Sequence, residues 1–528
     1  MNLARALGSI GGLTLVSRVL ALGRDQLQAG YVGANFASDA FLVAFRLPNM
    51  FRALFAEGAF SAAFIPLFNR KVEEGGGTAA GIDFAERALA LLFPVLLVMT
   101  ALLLAAAWPL TFALSGGFQR QHPTAEQFAF AVQLSRFTIP YLMLISLVSL
   151  LGGILNSLNR FWVNAAAPIL LNIAMVGGLV FFHGHDPYET ARVQAMSVTV
   201  GGALQLAWLW WACRQAGVSL RLRMPRIDDD VRQMLRLIVP AATGAGAAQI
   251  NLAISTALAG KFLSAGSISA IYYADRLNQL PLGLIGIGLG TVLLPVISRL
   301  LSSGRDVEAM ETQNRGLELA LFLTLPATAA FVFAGEAIIR GLFQHGAFSA
   351  DDAVRAGQAL SAFSLGLPSY VLVKVLTPGF YARADTRTPV RLALYSVAIN
   401  LIGNLILIPT LAHWELGQIG PPLATALAST INVVSLYVVL VRRGHFALDP
   451  QVKRKVPRLA LAALLMGGAL LLVAPLVAPY LTGSFIMRGV ALTVLVGAGV
   501  AIYALACVVT GAYRLADLKT LLRRRAST

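Results

Sequence analysis

Long apolar runs follow one another from near the start of this chain almost to its end, and that recurrence decides the fold class before any motif does. About 20 apolar residues are enough to cross the hydrocarbon core as a helix. In lipid a helix satisfies all of its own backbone groups, and the alternating pattern of a membrane barrel is absent. Of the 528 residues, 57% are apolar and only 12% charged, about half the charge of a soluble domain. The expectation is an all-α polytopic membrane protein with fourteen transmembrane helices, near 8–32, 37–66, 84–112, 128–155, 162–183, 192–213, 233–260, 267–299, 314–338, 354–382, 388–410, 419–441, 457–479 and 487–511.

An even number of spans puts both termini on one side. The basic loop residues then sort themselves. One side carries Arg70, Lys71, Arg160, Arg214, Arg221, Arg223, Arg226, Arg305, Arg383, Arg387, Arg442, Arg443, Lys453, Arg454 and Lys455, with Arg523, Arg524 and Arg525 in the tail. The other side has little beyond Arg120, Lys261 and Arg340. The positive-inside rule places the rich side, and both termini, in the cytoplasm. The net charge of +16 is thus an orientation signal and not a nucleic-acid footprint. The opening MNLARALGSIGGL has one arginine and no small-residue cleavage signal, so it reads as the start of the first span. Cys213 and Cys507 stand far apart, and no disulfide framework is expected.

Charge where lipid should be is the functional signal. The first span carries Arg18, Arg24 and Asp25, and the second Asp39, Arg46, Arg52 and Glu57. Each such group costs on the order of 2.5–3.5 kcal/mol at mid-membrane on insertion scales, so it ordinarily faces water or a partner. On a regular helix Arg18 and Asp25 lie within about 20° of each other, as do Ser17 and Arg24. Asn49 and Arg52 share a face of the second span, where Pro48 makes the later register uncertain. Arg276 follows Asp275 and the pair Tyr272–Tyr273 early in the eighth span. A guanidinium stays charged and grips phosphate bidentately, so this set reads as a site for a phosphate-bearing cargo. The competing reading pairs the charges among themselves: Arg18 with Asp25, Arg46 with Asp39, Arg276 with Asp275.

An internal repeat supports a transporter. A shift of 230 residues places Ala44–Asn49 on Ala274–Gln279 and Arg46 on Arg276, and a shift of 228 places Asn172 on Asn400. Two six-helix halves of like orientation are expected, at 1–220 and 221–445, with an appended helix pair and basic tail at 446–528. Parallel repeats of this kind mark transporter folds. Other motifs are weak. The glycines at 283, 286, 288 and 290 read as close helix packing, and His183, His185, Asp186 and Glu189 as a solvated loop. No nucleotide loop or nucleophile elbow is present, so neither ATP hydrolysis nor covalent catalysis is expected.

Five longer motifs resemble one family. They are S-R-V-L-x-x-x-R-D at 17–25, S-D-A-F-x-V-A-F-R-L-P-N at 38–49, F-R-x-L-F-A-E-G-A-F-S at 51–61, Y-Y-A-D-R-L at 272–277 and L-x-P-G-F-Y-A-R-x-D-T-x-T-P at 376–389. They are similar to the MurJ (MviN) family of bacterial lipid II flippases, within the multidrug/oligosaccharidyl-lipid/polysaccharide exporter superfamily. The resemblance implies two lobes around a cavity that opens alternately to each face of the inner membrane, with a groove at the last two helices for the polyprenyl tail. It implies that Arg18, Arg24 and Arg276 bind the diphosphate and that Arg52 is another required arginine of the substrate site, with Ser17 and Asn49 beside them. Asp25, Asp39 and Glu57 would serve as coupling groups or charge partners. The cargo would be lipid II, a disaccharide-pentapeptide joined by diphosphate to a polyprenyl chain. Membrane lipids and cell-wall synthesis proteins would be the other partners, and no cofactor is expected. Some members hold a sodium ion through an aspartate in the seventh span. Here that span has Gln249, Asn251 and Thr256 but no acid, although Asn400 and Thr425 are present, so no metal ligand is assigned. The runner-up reading is an exporter of a drug or of another polyprenyl-diphosphate-linked sugar, and a non-transporting scaffold is a third.

Overall fold

The computed structural model describes residues 3–55, 59–75 and 77–513, so Glu57 lies outside the described residues. Among those residues all regular structure is helical. Over the first expected span runs α1 (Leu3–Val32); over the second, α2 (Phe36–Phe55) followed by α3 (Ala59–Glu74); over the third, α4 (Thr78–Ala105) followed by α5 (Ala107–Ser115). Then come α6 (Ala125–Thr138) with α7 (Pro140–Ser157), α8 (Phe161–Phe181), α9 (Pro187–Gln215) and α10 (Asp229–Phe262). The later chain forms α11 (Ser267–Pro281), α12 (Ile287–Ser302), α13 (Asp306–Phe343), α14 (Ala350–Leu365) and α15 (Leu367–Tyr381). It ends with α16 (Arg387–Ala412), α17 (Gly420–Arg442), α18 (Pro450–Val477) and α19 (Phe485–Val509).

Ten helical segments are long and apolar enough to cross a membrane by length and composition alone. The segments that fall short are α1, the interrupted α2–α3 pair, α9 and α10. The first two carry the charges noted above, and the others are diluted by Gly, Ser, Thr, Gln and Asn. Prolines shape many of the breaks, because proline removes a donor and crowds the preceding turn. Pro281 ends α11, and a π-helical turn at Leu282–Gly286 joins it to α12. Pro48, by contrast, is accommodated inside α2, which runs on to Phe55.

Packing divides the chain into two compact units, Met1–Ser269 with Gly346–Phe348, and Ala270–His345 with Ser349–Thr528. In the first unit α7 runs through the interior, with Tyr141, Leu142, Leu150, Ile154 and Leu155 wholly buried. Phe64 of α3 stacks between Phe60 at 5.3 Å and Phe84 of α4 at 5.6 Å. The seventh-span helix α10 belongs to this unit for two reasons. Gly116, in the left-handed region at φ 57°, sits so close to α10 that a β-carbon there would lie 2.1 Å from the Ala257 carbonyl oxygen. At the other end, Arg87 of α4 pairs with Asp228 and, at 3.3 Å, with Asp230, while Lys71 reaches Asp230 at 2.9 Å. Arg223, in the strand of chain leading to α10, adds pairs to Asp83 at 2.6 Å and to buried Glu86 at 2.5 Å.

The second unit is built on α13, 38 residues long. One side packs on α12, α15 and α17 through Leu293, Ile297, Leu317, Leu321, Val371, Val375 and Leu436. Its other side receives α18 and α19 through Ala329, Ala334, Ala462, Ala463, Met466, Ala491 and Leu495. Small residues dominate this second seam, as expected where lipid supplies no hydrophobic drive and close approach must supply the contacts. Gly467 is the tightest point: a β-carbon there would meet the Phe333 ring at 2.2 Å. Lys455 and Tyr513 both bind the Glu318 carboxylate, at 2.7 and 2.6 Å.

Candidate functional site

In the first unit the polar groups of α1 meet those of α8. Arg24 is 5% exposed and Asp25 1% exposed, and the two form an ion pair at 2.6 Å. The Arg24 guanidinium also donates to Asn172 Oδ1 at 3.2 Å and lies 3.6 Å from the Met175 sulfur. Asn172 Nδ2 in turn donates to the Ser17 carbonyl at 3.2 Å and approaches its hydroxyl at 3.4 Å. Ser17, Arg24 and Asp25 are thus tied into one network by a residue 148 positions from Arg24. Arg18, one residue from Ser17, is exposed. Asp25 therefore takes its neighbour Arg24 as partner, where the helical alignment suggested Arg18. An arginine side chain is long enough to fold back on the adjacent carboxylate, which a wheel of Cα positions does not capture.

Asn49 and Arg52 share the face of α2 that the spacing indicates, and Arg52 Nε donates to Asn49 Oδ1 at 3.0 Å. Both are half-buried, as is Arg46. Asp39 sits apart from this face. Its carboxylate is wholly buried and accepts from the backbone N–H of Gly266 and of Ser269, each at 2.8 Å. It also accepts from the Ser269 hydroxyl at 2.6 Å and Gln121 Nε2 at 3.1 Å. Gly266 and Ser269 open α11, so this carboxylate caps a helix N-terminus, where backbone donors and the helix dipole favour negative charge.

In the second unit Arg276 is half-buried. It donates to the Tyr272 hydroxyl at 3.0 Å and stands over the same ring at 4.8 Å, a cation–π contact. Asp275 accepts from Gln279 at 2.5 Å. Asn400 and Thr425 hydrogen-bond to each other at 3.0 Å, and Asn404 donates to Asn400 at 2.9 Å. The repeat mates Asn172 and Asn400 thus do different work, one serving an arginine and the other a helix seam. The motif at 376–389 also gains a structural role. Asp385 accepts from the Thr388 N–H at 3.0 Å and pairs with Arg443 at 2.6 Å. The Thr388 hydrogen bonds, and then Arg443, hold its carboxyl well below the usual carboxylate range.

The histidine cluster resolves into local structure. His183 stacks on Tyr31 with centroids 4.3 Å apart, Asp186 caps α9 through the Glu189 N–H, and Glu189 accepts from the His185 N–H. Among the described residues no group of three or more metal-ligating side chains gathers. Cys213 and Cys507 are free and buried. Asn172, Gln121 and Ser269 escaped the sequence reading of the site. For Asn172 the signal was present, one of two amides, with Asn164, in an otherwise apolar span, but its role depends on which helix lies beside it.

Comparison with known proteins gives a consistent result. The family model described as "Lipid II flippase MurJ" matches residues 28–491. A probable lipid II flippase MurJ of Rhizobium tropici is 43% identical over 475 residues, covering 89% of this chain and 87% of that protein. The corresponding protein of Rhizobium meliloti (strain 1021) is 38% identical over 532 residues, covering 100% of this chain and 97% of that one. The solved structure "Lipid II flippase MurJ, inward closed conformation" superposes with a TM-score of 0.75 at 24% identity, covering 95% of this chain and 98% of that one, a likeness of fold.

Proposed function

Because the chain belongs to the MurJ family of lipid II flippases, we propose that it moves lipid II from the cytoplasmic to the periplasmic leaflet of the bacterial inner membrane by alternating access. The observation that carries this reading is a set of permanent cations placed inside otherwise apolar spans: Arg18, exposed, and Arg52, half-buried, in the first unit, and Arg276, half-buried, in the second. The lipid II headgroup cannot cross hydrocarbon unaided, since each unsatisfied polar group costs several kcal/mol there. Guanidinium groups substitute for water around a diphosphate and hold it through paired N–H donors. Arg24 is buried and ion-paired to Asp25, with Asn172 beside it. A diphosphate that binds it competes with a carboxylate already in place, which makes Arg24 a group recruited during the cycle. Ser17 and Asn49 hold the arginine network in position, and Asp39 and Glu57 are the acidic groups available to couple transport to protons.

The same reading makes residues 1–220 and 221–445 pseudo-symmetric halves and gives 446–528 the polyprenyl tail. Both termini then lie in the cytoplasm, by the distribution of basic loop residues. No bond is made or broken. The decisive experiment reconstitutes the full chain in vesicles with labelled lipid II and follows its appearance on the opposite leaflet. The wild type should accelerate that appearance. Arg276→Ala should lower the rate at least about tenfold, the value of one lost charged hydrogen bond, while inserting normally. Wild-type vesicles no faster than protein-free ones would reject the reading, and equal movement of a peptide-free polyprenyl-diphosphate sugar would widen the cargo.

A further inference from the structure

The tenth span hides a cation that no charge pairing or motif singled out. Lys374 lies in the middle of α15, and Tyr381 at the helix end is seven residues on, about 10 Å away. This helix is enclosed by α12, α13, α14 and α17. Between Leu367 and Phe380 every residue is buried or half-buried except Lys374. A face turned to lipid has a different signature: α19 exposes Val490, Val494, Val500 and Val509 in succession. α15 has a single window, and a charged side chain stands in it.

The contacts beside that window are apolar. The Lys374 stem runs along the α11–α12 junction, where a β-carbon at Gly286 would lie 3.7 Å from its Cγ and one at Gly290 3.8 Å from its Cβ. Gly286 closes the π-helical turn Leu282–Gly286, a distortion of the kind often found at functional sites. Among the described residues no carboxylate pairs with the ammonium. A cation at this depth is expensive unless it meets water or an anion. Asp275 reaches Tyr370, one turn before Lys374, electrostatically, but forms no ion pair with Lys374, so the exposed ammonium is open to an anion from outside the fold.

We propose that Lys374 is a cargo-binding residue that takes an anionic oxygen, phosphate or carboxylate, of the lipid-linked headgroup. This rests on the lipid II reading given above. It adds a contact point of different character from the arginines. An ammonium on a flexible stem is a point charge that follows a moving anion, where a guanidinium demands planar, paired geometry. Two groups on lipid II offer such oxygens, the diphosphate and the carboxylates of the peptide.

The test measures binding to the full chain in nanodiscs, for the wild type, Lys374→Ala and Lys374→Arg. Three probes are used: lipid II, undecaprenyl diphosphate, and lipid II with amidated peptide carboxylates. Lys374→Ala should weaken lipid II binding about tenfold, as for one charge-assisted hydrogen bond, and Lys374→Arg should recover most of the loss. A loss that persists with both other probes assigns the ammonium to the diphosphate. A loss that disappears with both assigns it to the peptide carboxylates. Unchanged lipid II binding by Lys374→Ala at wild-type melting temperature overturns the proposal and leaves the flippase reading intact. A loss shared by Lys374→Arg, or one that follows a fall in melting temperature, gives Lys374 a packing or anchoring role and overturns it too. Wild-type protein that does not bind lipid II removes both readings together.

Discussion

At the scale of single residues, Arg24 shows how position and partner separate. Its place in the first span is plain from the sequence, because a charge inside an apolar run is conspicuous. Its condition is not, because the buried Asn172 that shares it arrives from α8. Removing that amide tests the network without touching a charge. Asn172→Ala should remove the amide from Arg24 while its pair with Asp25 stays, and free the Ser17 contacts. The buried donors left unmet predict a stability loss of about 1–3 kcal/mol, read as a lower melting temperature in detergent, and a transport rate reduced with it. An Asn172→Ala protein with both values unchanged would show that the network is incidental. Asp39 carries a related lesson. Four hydrogen bonds and a helix start surround it, and no periodicity within α2 could have named Gly266, Ser269 and Gln121 as its company.

Helices were the most legible part of this molecule. Apolar length located them, and prolines marked several of the joints, since both effects act within a few residues. Four segments are less apolar than the rest, because charges stand in α1 and α2 and because Gly, Ser, Thr, Gln and Asn dilute α9 and α10. What sequence could not supply is which helix sits against which. The tail pair is an example: its helices are plainly apolar in sequence, but their seat on α13 depends on a row of small residues meeting one ring. Gly467→Ala should disturb that seat, since the added methyl would overlap Phe333 unless the ring moves. Overpacking of this sort costs about 1–3 kcal/mol. The expected result is a lowered melting temperature that the compensating Phe333→Leu partly restores, and failure of that rescue would place the strain elsewhere.

For the molecule as a whole, the internal repeat and the packing describe different divisions. The repeat divides the chain after six spans, whereas contacts gather α10 with the first unit, up to Ser269. Sequence similarity between halves records their common pattern, and it does not say where a connecting helix comes to rest. Glycines at 116 and 260 and the ion pairs around Arg87 made that choice, and each is visible only in three dimensions. Energy coupling also belongs to this scale. Moving one elementary charge through the field is worth about 2.3 kcal/mol per 100 mV. Net transfer of an anionic headgroup therefore predicts a rate that responds to membrane potential in vesicles. Dependence on a pH gradient alone would move the coupling to an acidic group such as Asp39, and indifference to both would leave passive equilibration.

The length of α13 has a mechanical corollary. At 1.5 Å per residue its 38 residues form a rod of about 57 Å, nearly twice the roughly 30 Å thickness of the hydrocarbon layer. Such a rod behaves as a mast stepped in the second unit, with α18 and α19 lashed to it like rigging through Glu318, Lys455 and Tyr513. A lean of about 10° would carry its far end some 10 Å sideways. The two tail helices would swing with it, so a small tilt in the membrane becomes a large excursion at the mast's tip.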